Sequence, residues 1–217
     1  MDTRRIIAVV AVAALVTMSG CGFLLGNEAL EFNASPVAVD DTAQSDTGYE
    51  ETRRSSQAVE RSFQVAGQTR NVSVTNYLAE YGRTAETLFS DQQVARVTVL
   101  SSPKVQVLGE SFNPLGDLSD RQLAQRFQEQ YGSLDDLQFQ SNRTASILGS
   151  ERTVSKFTAQ AQMNGGTSVD VNVHISKFED GDDFIVAVAV HPQQIDEESN
   201  VDTMFGGIVH PAAEPSE

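Results

Sequence analysis

The sequence predicts an α+β domain built on a largely antiparallel sheet of roughly five to seven strands with helices packed on it. Three stretches carry this expectation. Val169, Val171, Val173 and Ile175 alternate with polar neighbours, Phe184 to Val190 is apolar at every position, and Ser119 to Tyr131 has helical spacing. A PsbP-like α/β/α sandwich is one architecture consistent with the element order, by analogy of fold alone.

Taken in order, Val59, Arg61, Phe63 and Val65 alternate with their neighbours, Ala66-Gly67-Gln68 turns, and Val72 and Val74 resume, so residues 58 to 76 read as a hairpin. A strand follows from about Val94 to Leu100, interrupted by Pro103 and continued by Val105 and Val107. Ser119 with Gln122 three residues on forms a capping box, Leu123, Phe127 and Tyr131 lie on one helix face, and Gly132 ends the helix. Phe139 and Ala145 to Leu148 suggest strand, Gly149-Ser150 turns, and Phe157, Ala159, Ala161 and Met163 point inward before the Asn164-Gly165-Gly166 turn. In the next strand Asp170, Asn172, His174 and Ser176 form a polar face opposite the valines. After the turn at Glu179 to Asp182, the apolar run from Phe184 fits a central strand covered on both faces. Val201, Met204, Phe205 and Ile208 have the spacing of a C-terminal helix that could supply the second cover, with Gly206 and Gly207 weakening it.

The ends read differently. Arg4 and Arg5 precede eleven apolar residues, Ile6 to Val16, too few to span a bilayer, and Met18-Ser19-Gly20 leads into Cys21. This is signal-peptide organisation, and the small residues before the cysteine resemble the lipobox of prokaryotic lipoproteins, with Met18 where leucine is usual. Arg4-Arg5 also resembles a twin-arginine export signal. The expected organisation is a signal peptide at 1–20, a lipidated N-terminus at Cys21 with a flexible tether to 56, one α+β domain at 57–210, and a disordered tail at 211–217. Cys21 is the sole cysteine, so no intramolecular disulfide can form.

Charge narrows the partners. The 217 residues hold 15 basic and 30 acidic groups; loss of residues 1 to 20, with Arg4, Arg5 and Asp2, leaves 13 against 29. No basic cluster follows Arg53-Arg54, so nucleic acid is not an expected partner. An anionic lipid surface would repel the body, which leaves the membrane lipid attached through Cys21 as the expected contact. Lysine occurs only at 104, 156 and 177 against twelve arginines. An acidic, lysine-poor surface suits concentrated brine, where screening over about 3 Å relieves self-repulsion.

Several stretches, in order, resemble a family of haloarchaeal lipoproteins known only as a domain of unknown function: Phe32-Asn-Ala-Ser-Pro36, Glu50-Glu51 after Thr47-Gly48-Tyr49, Gly67-Gln68, Thr75 to Tyr81, Thr98 to Pro103, and Phe112 to Asp117. The resemblance covers nearly all of the chain after Cys21. It implies a compartment and a fold, and it brings no activity, cofactor or site residues.

Catalytic templates fail: there is no G-x-S-x-G, H-E-x-x-H, P-loop or C-x-x-C. His174, His191 and His210 are too scattered to suggest a zinc site and are expected to be solvated or singly hydrogen-bonded. Glu179-Asp-Gly-Asp-Asp183 departs from calcium-loop spacing and reads as an acidic turn. No metal, cofactor or catalytic residue is expected. The loop Phe112 to Ser119, with Asn113 and Asp117, is the candidate ligand loop, against the simpler reading of a helix entry set by Pro114 and Gly116. Tyr77 and Tyr81 could rim a pocket or form a packed edge. Asn71-Val-Ser73 and Asn142-Arg-Thr144 are glycosylation sequons, whereas Asn33-Ala-Ser35 is handicapped by Pro36. The leading expectation is a non-enzymatic surface lipoprotein binding an unknown protein or small molecule. An extracellular enzyme using Asp117 or His174 and a structural envelope component are its rivals.

Overall fold

A computed structural model describes residues 30–65, 68–87, 90–107, 110–111, 113–131, 134–162 and 168–215. The leader, Cys21, Gly67, Phe112, Gly132 and the turn at Asn164 to Gly166 lie outside the described residues. The elements run β1 (Leu30–Asn33), β2 (Ala38–Val39), α1 (Asp41–Thr47), β3 (Glu50–Val65), β4 (Gln68–Thr87), β5 (Ser90–Pro103), β6 (Gln106–Val107), β7 (Glu110–Ser111), α2 (Asp120–Tyr131), β8 (Leu134–Ile147), β9 (Ser150–Gln162), β10 (Ser168–Asp180), β11 (Asp183–Pro192), α3 (Glu198–Gly206) and β12 (Ile208–Val209).

One eight-stranded sheet organises the molecule. Its order is β1-β4-β5-β11-β10-β9-β8, with β3 paired on the other side of β4. Neighbours are antiparallel except β1, which runs parallel to β4 over Val72 to Thr75, where β5 no longer reaches. Hairpin turns set the registers. The β8–β9 turn has Leu148 at φ 49° and Gly149 at φ 70°, the two positive angles of a type I′ turn.

The expected α+β architecture is overturned: among the described residues strands far outweigh helices, which form three short segments. The fold is β-rich with a large mixed sheet. The difference arises because strand pairing does not require apolar residues on both faces. Glu50 to Gln57 is almost wholly polar, and it pairs with β4 as an exposed outer strand.

For the same reason, residues 30 to 56, expected in the tether, belong to the folded body from Leu30 onward. Asp40 caps α1 by accepting from the Ala43 amide at 2.8 Å, and Gly48 ends it with φ 71°. Polar, glycine-containing composition is shared by linkers and by the caps of short helices. Tyr81 on β4 is fully buried, and its hydroxyl accepts from the Val39 amide at 2.7 Å. Residues after Pro211 begin attached, through Ala212 N–H to Pro36 O at 2.8 Å.

Both faces of β11 are covered, as its sequence demands. On one face Ile185, Ala187 and Ala189 meet Val201, Met204 and Phe205 of α3. On the other, Val186 and Val188 join Phe157, Val173, Ile175 and the α2 residues Leu123 and Ala124. The polar face of β10 is not a solvent face: His174 and Ser176 are buried beneath the α3 layer. After α3 the chain turns through Gly206-Gly207 into β12, which pairs with β2. A Cβ on Gly207 would collide with the Cβ of Ala43, a rigid atom of α1. Gly207→Ala should therefore destabilise the domain by about 1 to 3 kcal/mol, measured by denaturant unfolding, because neither backbone can yield without unpacking α1 from α3.

Candidate functional site

Two polar constellations lie on opposite faces of the sheet. The first is beneath α3. β8 presents Arg143, β9 Lys156, β10 His174 and β11 His191, while α3 brings Glu198 and Asp202 above them. Arg143 grips Asp202, its Nε 2.9 Å from Oδ1 and its Nη2 2.5 Å from the same oxygen, and Lys156 Nζ donates to Glu198 Oε2 at 2.8 Å. That bond is the main cause of the lowered Glu198 pKa.

The imidazole planes are nearly parallel, at 9°, and the rings meet edge to edge, with centroids 5.2 Å apart and His174 Nε2 3.0 Å from His191 Nε2. The two ends of this chain fix every proton. Arg143 Nη1 can only donate, so His174 Nδ1, 2.8 Å away, must accept. His174 then carries its proton on Nε2 and donates to His191 Nε2, leaving the His191 Nδ1–H to donate to the Pro192 carbonyl at 3.0 Å. Both rings are therefore neutral. Burial, followed by the Arg143 charge, pushes the His174 pKa down to about 3, and burial lowers that of His191.

This pair was missed in the sequence, where the histidines were expected to be solvated or singly bonded. Counting back from the Gly181-Asp182 turn would have found it. His174 pairs with Ala189, and His191 is two residues further along the same face. His210 is also enclosed, its Nδ1 2.8 Å from Asp180 Oδ2 and its Nε2 3.0 Å from Asp183 Oδ2. The acidic turn thus secures the C-terminal segment. Among the described residues no cluster of three or more His, Cys, Asp or Glu side chains is arranged to hold a metal.

A buried carboxylate fixes the start of α3. Glu197, 1% exposed, accepts from Arg83 Nη1 on β4, from Asn200 Nδ2 at 3.1 Å and from the Tyr49 hydroxyl at 3.4 Å. Burial raises the Tyr49 pKa to about 12.

The second constellation is a cleft of about 290 Å³ at the start of α2, bordered by Ser119, Asp120, Phe139, Asn142 and Ser155. The expected capping box forms: Gln122 N–H donates to Ser119 Oγ at 3.3 Å, and Ser119 N–H donates to Gln122 Oε1 at 2.9 Å. At the cleft floor the Ser155 hydroxyl donates to Asp120 Oδ2 at 2.5 Å, and burial raises the Asp120 pKa.

The predicted site residues separate. Asn113 is buried and fully engaged, its Nδ2 donating to Ser102 Oγ at 2.9 Å and Pro103 O at 2.6 Å while its Oδ1 accepts from the Leu115 amide. Lys177 Nζ pins the same loop through the carbonyls of Leu115, Gly116 and Leu118. Asp117 is exposed on this loop, on the α2 face of the sheet, and His174 lies on the α3 face, so the structure does not bring them together. Asn71 and Asn142 are both exposed. Tyr81 is core, and the Tyr77 hydroxyl donates to Glu214 at 3.2 Å.

The fold and these constellations define a single mixed-sheet β-rich domain with a neutral histidine pair under its C-terminal helix. The chain belongs to the family described as a domain of unknown function, DUF6517, which matches residues 36–209. No curated protein matches it.

The histidine pair sets a pH dependence. Both rings are neutral in the fold, whereas in the unfolded chain each takes up a proton below its ordinary pKa of 6.5. The unfolded state then binds more protons, so the stability present above pH 6.5 is lost as pH falls toward about 3. The loss approaches about 1.4 kcal/mol per pH unit for each fully linked ring. His174→Asn should flatten the decline between pH 6.5 and 4, as followed by urea unfolding. Asn113→Ala should cost about 1 to 3 kcal/mol at any pH, because it strands the Ser102 and Pro103 partners.

Proposed function

We propose that this chain is an exported lipoprotein of a salt-adapted archaeon, anchored through Cys21 on the outer face of the cell membrane, and that its domain is a non-catalytic binding module. The observation that carries the reading is a spacing. The lipobox-like cysteine stands only nine positions before Leu30, the first described residue of the sheet. Nine residues reach at most about 30 Å when fully extended, so a lipid on Cys21 would hold the sheet close to the bilayer. No described helix is long and apolar enough to cross a membrane. The acidic body would be repelled by anionic headgroups, and its partner would be met at the membrane surface by the exposed Asp117 loop or by the cleft at the start of α2.

Lipidation makes the first test. The wild-type chain should partition into detergent with its mass set by lipid on Cys21, and Cys21→Ser should release the domain into the medium. A wild-type chain that retains residues 1 to 20 overturns the anchor.

An enzymatic reading has one observation in its favour, the Asp120 carboxyl of raised pKa bonded to Ser155 at the floor of a cleft. Turnover of an extracellular substrate that is abolished by Asp120→Asn would replace the binding reading.

A further inference from the structure

Phe139, Asn142 and Thr144 lie on one face of the edge strand β8, which plain alternation would not produce. In an unbroken strand, residues three apart point to opposite faces. The pairing with β9 slips between Phe139 and Ser141: Phe139 stands opposite Phe157 and Ser141 opposite Lys156. Asn142 then faces Ser155, and Thr144 faces Thr153. Gln140 is the extra residue of a bulge. It returns Phe139 to the face of Asn142 and Thr144, since Phe157, Ser155 and Thr153 share one side of β9.

The side chains have little else to do. Asn142 and Thr144 are exposed. Phe139 is 42% exposed, an unusual cost for a phenyl ring, whereas Phe157, Phe178 and Phe184 of the same sheet are buried. Its orientation is fixed all the same: it packs edge-to-face on Phe157 at 5.7 Å, and the Arg121 guanidinium sits 5.9 Å from its centre. The result is a fixed aromatic platform beside an accessible asparagine, with a hydroxyl two residues on, as the N-glycosylation acceptor pattern requires. Both Phe139 and Asn142 border the 290 Å³ cleft, which has room for a monosaccharide ring.

We propose that Asn142 is N-glycosylated in the exported chain and that the first sugar of the glycan lies over the Phe139 ring in this cleft; the proposal rests on the export reading above. In the transfer, the Asn142 amide nitrogen bonds to the anomeric carbon of a sugar carried on a lipid phosphate. The carbon–oxygen bond to the phosphate breaks, the lipid phosphate leaves with the electron pair, and the amide proton passes to a base of the transferase. No oxidant or reductant is needed. The attached glycan covers both the exposed ring and the outer edge of β8, which no other described strand pairs and which would otherwise offer backbone groups to another chain.

The test uses the full chain purified from the membranes of its native cells. Mass spectrometry of the peptide containing Asn142 should show a glycan in the wild type that falls to background in Thr144→Ala, which keeps the asparagine. Thermal unfolding of glycosylated and bare protein should show a higher Tm for the glycosylated form, and Phe139→Ala should abolish that difference while remaining folded. A lipidated, exported chain with bare Asn142 overturns this proposal alone. A glycan whose effect on Tm survives Phe139→Ala overturns the seat on the ring. A chain kept inside the cell with its leader intact overturns the export reading and this proposal with it.

Discussion

The docking of α3 onto the sheet is the interaction on which the rest of the structure depends. β11 is apolar on both faces and sits between β5 and β10, so each face must be covered by something other than water. On one side a nine-residue helix does this, and it is too short to hold itself together in isolation. Its stability comes from what it touches: Val201, Met204 and Phe205 are fully buried, and Glu197, Glu198 and Asp202 meet Arg83, Lys156 and Arg143 from three different strands. The apolar residues provide the driving force. The ion pairs fix the helix's angle and register, because a displaced α3 would leave Glu197 buried without its cation.

That arrangement explains the histidines. A strand passing under α3 needs side chains that fill space and bond Arg143 without adding another charge. Two neutral imidazoles meet the requirement, because each ring can accept at one nitrogen and donate at the other. The chain from Arg143 to the Pro192 carbonyl has only one consistent set of proton positions, so the network is rigid as well as satisfied. The arginine that orders the rings is held in turn by Asp202 of α3.

On the opposite face, α2 packs on β8 and β10 and leaves a gap at its capped start. The cleft lies in that gap, between the capped start of α2 and the bulged part of β8. The same local device, one extra residue in one strand, interrupts the pairing and re-aims Phe139. The Asn113 loop leads into α2 and is held by Ser102, Pro103 and Lys177, so it positions the helix while Asp117 faces solvent.

Much of the fold was legible from local rules. The capping box of α2 was readable from Ser119 and Gln122, the β8–β9 turn from Gly149, the doubly covered β11 from its apolar run, and the buried stripe of α3 from Val201, Met204 and Phe205. These features depend on residues close together in the chain, and the sequence by itself determined them. Tertiary structure decided the rest. Whether Glu50 to Gln57 is linker or strand depends on β4 lying beside it, since its own side chains gain little by pairing. His174 reads as a solvent-facing residue until α3, which begins more than twenty residues later, closes over it. Phe139 and Asn142 read as facing opposite ways until β9 accepts one strand with a residue to spare. In each case the deciding partner is distant in sequence, and alternation or composition within a short window carries no information about it.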